Sequence, residues 1–119
     1  MFNNRGAMRR SALIAASLAA LAPVTLAAQG LEGTYAIGEC GVPHDGVMTL
    51  AGATIMFFES ACRLSNPTPL EGFDGALIYD ASCAGEGETW KERMLIMPSF
   101  DAGLVVVSPG WANMYERCQ

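Results

Sequence analysis

From residue 33 to the end of the chain, apolar residues recur at every second position and in short runs, the spacing of strands and not of helices. Residues 33–39 set Tyr35 and Ile37 against smaller neighbours and predict a half-buried strand running into Cys40, followed by a Pro- and Asp-Gly-punctuated turn over 41–46. Residues 47–50 and 53–59 flank Ala51-Gly52 and predict a hairpin. Its second arm opens the stretch 54–62 (TIMFFESAC), the most apolar short run outside the first 28 residues. Alternation there points Ile55 and Phe57 one way and Met56 and Phe58 the other. Both faces are apolar, so the strand is expected to be covered on both sides or to rest one face on a partner or lipid. Residues 59–64 continue the extended pattern.

Residues 65–75, with two prolines and two glycines, predict the one substantial loop. Strands follow over 76–82, with Leu77 and Tyr79 on one face, and over 89–97, closed by Pro98; an acidic turn over 84–88 joins them. A hairpin turn over 99–103 leads into the β-branched run at 104–107, and Ser108-Pro109-Gly110 turns the chain into a last strand over 111–118. Six to eight short antiparallel strands at regular spacing, with no helical period and no internal repeat, predict an all-β meander. A closed or nearly closed barrel is the preferred form, with a small β-sandwich as the alternative.

The first 28 residues break this pattern. Arg5, Arg9 and Arg10 precede an unbroken run of Ala, Leu, Ile and Ser over 11–22, and Thr25-Leu26-Ala27 places small residues where a signal peptidase cuts. The run falls short of the roughly 20 residues that a spanning helix needs. Residues 1–28 are therefore expected to be a cleaved signal peptide and residues 29–119 a single small β domain, periplasmic or secreted, with no membrane span once the leader is removed.

Export changes the charge. Three of the seven basic residues lie in the leader, so Arg63, Lys91, Arg93 and Arg117 face all twelve acids, a formal net of −8. Phosphate backbones would be repelled by such a chain, which excludes nucleic acid as a partner. A protein or other cationic envelope component would be attracted.

All four cysteines, Cys40, Cys62, Cys83 and Cys118, fall in the exported part and predict two disulfides. Their wide spacing lacks the close ligand pairs of a zinc site. Of the three connectivities, Cys40–Cys118 with Cys62–Cys83 is preferred, because the outer pair would tie the first strand to the last and remove sheet edges.

Few residues offer chemistry. The single histidine, His44, sits in a turn beside Pro43, away from any nucleophile it could activate. Among the acids, Glu59 next to Phe58 is the one whose apolar neighbours would raise a carboxyl pKa. The acidic turn lacks the spaced ligand series of a calcium loop, and no cofactor is expected. Trp90 is expected in the core, while Trp111 follows a rim turn and is divided between core and surface. The contacts of a binding module are expected from the two loops and the rim: Phe73 and Asp74, Glu86 and Glu88, and Trp111.

In outline, the leader, Gly33-Thr34-Tyr35, the short strands and the paired cysteines resemble the small periplasmic inhibitor proteins of bacteria. Those proteins block lysozyme or secreted proteases with eight-stranded, disulfide-stapled barrels. The Ser-Gly-rich loop before an Arg-Tyr pair that marks the lysozyme inhibitors is absent, so no functional residue carries over. The resulting expectation is a non-enzymatic binding or inhibitor-like module of the bacterial envelope. A small apolar-ligand carrier using a barrel interior around Phe57, Phe58 and Trp90 is one alternative, and a small hydrolase resting on Glu59 is another.

Overall fold

A computed structural model describes residues 30–119; the expected signal peptide lies outside the described residues. Eight antiparallel strands close into an up-and-down barrel: β1 (Gly33–Ala36), β2 (Val47–Ala51), β3 (Thr54–Met56), β4 (Ala61–Pro69), β5 (Leu77–Gly85), β6 (Glu88–Pro98), β7 (Leu104–Ser108) and β8 (Trp111–Arg117). Each strand pairs with the next, and β8 returns to β1 through Tyr35 opposite Arg117 and Ala36 opposite Glu116. Closure decides for the barrel over the sandwich.

Alternation builds the core. The inward positions are Tyr35, Met48, Leu50, Ile55, Leu64, Tyr79, Met94, Ile96, Leu104, Val106 and Tyr115, all buried. Side chains thus fill the barrel interior, as expected for eight strands. The outward row that crosses β4, β5 and β6 carries Arg63 opposite Ser82 and Lys91, with Asp80 paired to Arg93 at 3.2 Å. A charged exterior around an apolar interior is the reverse of a membrane-spanning barrel. Among the described residues, no helix is long and apolar enough to cross a membrane.

Both disulfides form as preferred, Cys40–Cys118 and Cys62–Cys83, and no described cysteine is free. Such structural bridges point to an oxidising, extracytoplasmic environment. The outer pair holds the chain end near β1. There Arg117 donates to Tyr35 Oη at 2.7 Å and to the Glu32 carbonyl at 2.6 Å. The inner pair joins directly opposed residues of β4 and β5 inside the barrel.

Several local expectations are corrected. The run 54–62 is two strands rather than one: Phe57–Ser60 is a turn closed by the Phe57 N–H on the Ser60 carbonyl at 2.7 Å, so β3 spans three residues. Ile55 is buried and Met56 exposed, so the outward face meets solvent instead of a second layer. The loop placed at 65–75 shrinks to residues 70–76. β4 persists to Pro69 because a bulge between Ser65 and Thr68, with Asn66 at positive φ, absorbs Pro67. Trp90 is 39% exposed and not in the core.

Unequal strand lengths shape one end of the barrel. β5 and β6 hold nine and eleven residues, whereas β1, β2 and β3 hold four, five and three. β7 pairs with β6 only from Leu95 to Pro98, so the first part of β6 rises with β5 beyond its other neighbour. The interior is left open there.

Candidate functional site

The opening lies at the end where the β1–β2, β3–β4, β5–β6 and β7–β8 connections gather, a consequence of the up-and-down order. On β6, Glu88, Trp90 and Glu92 share the face of Met94 and Ile96 but stand above the closed body. Across the gap, β8 presents Trp111 and Asn113 in line with the buried Tyr115. A pocket of about 320 Å³ lies between them, lined by Phe57, Trp90, Trp111 and Tyr115 together with Asp45, Ser60, Glu92 and Asn113. Phe57 and Trp111 meet edge to face, with ring centroids 5.8 Å apart, and both pack on the core. Cys62 forms part of the floor.

Ser60 and Trp90 also line a second hollow of about 360 Å³, whose other walls are Glu59, Gly85, Glu86 and Glu88. The two hollows form one continuous mouth, aromatic in its depth and acidic at its rim. Gly85 makes the junction possible. A Cβ at this position would lie 2.6 Å from the Glu59 carbonyl oxygen and 2.7 Å from Ser60 Cβ, so only glycine lets β5 pass this close to the Phe57–Ser60 turn. The β5–β6 connection is the tight pair Glu86-Gly87, both at positive φ as a type I′ hairpin turn requires.

The tight turn brings the Glu86 carboxyl to that of Glu59. The protonated Glu59 carboxyl donates a hydrogen bond to the Glu86 carboxylate, and this bond, then the negative charge of Glu86, raises the Glu59 carboxyl above its ordinary value; desolvation and Asp45 add to the rise. The cause differs from the expected one: a neighbouring acid, not the apolar surroundings of Phe58, which is itself 51% exposed. His44 serves the turn. Its Nδ1 accepts from the Gly46 N–H at 3.1 Å, and its Nε2 lies 2.6 Å from the Glu39 carbonyl oxygen. Cys62, Cys83 and Glu92 bring potential ligand atoms within 4.8 Å of one another, but the two sulfurs are bonded together and offer no thiolate to a metal.

Of the residues expected to make contacts, Glu86, Glu88 and Trp111 come together at the mouth. Phe73 and Asp74 do not. They lie in the β4–β5 connection at the opposite end, where Phe73 is 55% exposed beside a shallow hollow formed by the loop itself. Phe57 and Trp90, expected inside a ligand-carrying barrel, stand at its entrance, and Phe58 points outward. Asp45, Ser60, Glu92 and Asn113 also line the mouth, beyond the residues that the sequence reading names. For Glu92 a signal existed: it lies on the alternation phase of Trp90 and Met94, which marks it as inward-facing. Comparison with protein-family models, curated proteins and solved structures finds no match.

Proposed function

We propose that this chain is a non-enzymatic binding module of the periplasm or the secreted fraction, which docks a cationic protein partner onto the open end of its barrel. One observation carries the reading: the aromatic-walled mouth that holds Trp90, Trp111 and Phe57 among Asp45, Glu59, Glu86, Glu88 and Glu92. Exposed aromatic anchors in a pocket, surrounded by charge of one sign, are the elements of a steered protein interface. The apolar side chains of Ile37, Val42 and Phe58 are exposed on connections at the same end and extend the contact surface around the rim. Inhibition of a basic enzyme is the form of binding that the outline resemblance suggests.

The use of the reactive groups in the fold supports the non-enzymatic reading. His44 is engaged within its own turn, and the cysteines are joined in pairs. Export accounts for the bridges and for the basic, apolar leader.

Chemical-shift mapping with polylysine and polyarginine at low ionic strength tests the reading. Shifts confined to residues 57–60, 86–92 and 111–113, and abolished by high salt, are the expected result. Shifts centred on the 70–76 connection, or none at all, would sink it.

A further inference from the structure

We propose that the deep half of the mouth is a guanidinium site that takes the side chain of one arginine presented by the partner protein. The inference rests on the mouth being the docking surface and specifies which cation it selects.

The lining carries the argument. Asp45 and Glu92 supply carboxylate oxygens, and no Lys, Arg or His side chain lines the pocket to neutralise them. The Asn113 amide nitrogen donates to Tyr115 Oη at 3.4 Å, which leaves the Asn113 carbonyl oxygen as a further acceptor. The hollow therefore holds two carboxylates and no cationic side chain, and an occupant that brings positive charge together with N–H groups matches it. Its walls are the rings of Trp90, Trp111 and Phe57, surfaces on which a flat, weakly hydrated cation stacks.

Guanidinium meets both demands: five N–H donors in a planar fork that matches a carboxylate, and a face that lies on an aromatic ring. A lysine ammonium is a compact and strongly hydrated charge, and entering an aromatic slot costs it more water. A quaternary ammonium would suit the rings but has no N–H for Glu92 or Asp45. An uncharged apolar ligand would strip water from both carboxylates and replace none of their hydrogen bonds. The volume of about 320 Å³ lies at the small end of ligand pockets, matching one side chain and not a folded segment.

The neighbouring acids point to a protein arginine over the free amino acid. Glu59, Glu86 and Glu88 border the same opening, and a protein that presents the arginine can bring further cationic residues to them, whereas the α-ammonium and α-carboxylate of free arginine offset each other there.

Tryptophan fluorescence provides the test, because Trp90 and Trp111 are the chain's two tryptophans and both line the pocket. The disulfide-intact protein is titrated at low salt with N-acetyl-arginine amide, N-acetyl-lysine amide and tetramethylammonium. The expected result is a saturable change with arginine amide, about tenfold weaker binding of each of the other two, and about a tenfold loss in Glu92→Gln. That variant is isosteric at a half-exposed position, and an unchanged thermal midpoint verifies its fold. Polylysine and polyarginine serve as controls. If both bind the mouth while lysine amide or tetramethylammonium equals arginine amide, or while no monomer saturates, the guanidinium assignment is overturned and the docking surface stands. Should neither polymer bind, the docking surface falls with it.

Discussion

Two halves of one strand face show how this barrel divides its labour. The inward positions of β6 read Glu88, Trp90 and Glu92 in its first half, then Met94 and Ile96 in its second. The second half is enclosed by the other strands and is fully buried; the first half overshoots β7 and opens to solvent. The same alternation therefore yields a core where the wall closes and a lined mouth where it does not. Strand length draws the boundary, and the inward row passes from Glu92 to the apolar Met94 where it falls.

The sharpest way to break this comparison is to unfasten the two regions separately. Replacing Cys40 and Cys118 by serine, which opens a loop of 78 residues, is expected to cost about 4.5 kcal/mol by the chain-entropy relation. The same replacement of Cys62 and Cys83, separated by 21 residues, is expected to cost about 3.3 kcal/mol. Urea unfolding of the two variants measures both. A larger loss for the inner pair would show that the bridge beneath the mouth acts by more than loop closure.

Met94→Ala and Trp90→Ala compare the halves directly. Met94 is fully buried, and its truncation is expected to lower stability by about 3 kcal/mol. Trp90, two inward positions away, is expected to cost less than about 1 kcal/mol, yet its loss should abolish binding of a basic polypeptide. Equal destabilisation by the two variants would mean that the mouth belongs to the core.

Much of the body is legible in the sequence. Period-two alternation locates nearly every strand, and an even number of cysteines with first-to-last closure selects the observed bridges. The errors share a cause, which is that local signals do not report the partner strand. Pro67 reads as a loop residue, but a bulge opposite β5 accommodates it within β4. The run 54–62 reads as one strand because the Phe57–Ser60 turn contains neither glycine nor proline. Trp90 reads as core because a large aromatic usually fills the interior of a small barrel, whereas here β7 ends below it. The mouth is partly legible as Glu86, Glu88 and Trp111, whereas Phe73 and Asp74 read as part of the same surface because loop composition does not report which end of the barrel a loop occupies.

The close approach at Gly85 offers a subtler break. Gly85→Ala would push a methyl group into the Glu59 carbonyl and Ser60 and is expected to cost about 2 kcal/mol. Because the strain falls on the Phe57–Ser60 turn, amide shifts should concentrate at the mouth and leave residues around Met94 unmoved. Uniform shifts across the barrel would show that mouth and body are one mechanical unit.

The smallest effect is the most specific to the mouth. Glu59 and Glu86 are two exposed acids brought together by the turn, and the Glu59 carboxyl titrates above its ordinary value. A carboxyl with a raised folded-state pKa binds its proton more tightly in the native protein. Its contribution to stability is complete below the unfolded pKa and is lost as pH rises through the folded one. Glu59→Gln removes that loss, so the variant should melt slightly above the parent at neutral pH, and the difference should vanish or reverse below the carboxylate range. Glu86→Asn should act in the same direction, with a further gain at every pH, because asparagine tolerates the left-handed backbone at this position better than glutamate does. A Glu59→Gln melting difference that does not change with pH would mean that the two carboxyls do not interact in solution. The acidic rim would then be a set of independent charges rather than a pair held together at the entrance to the aromatic slot.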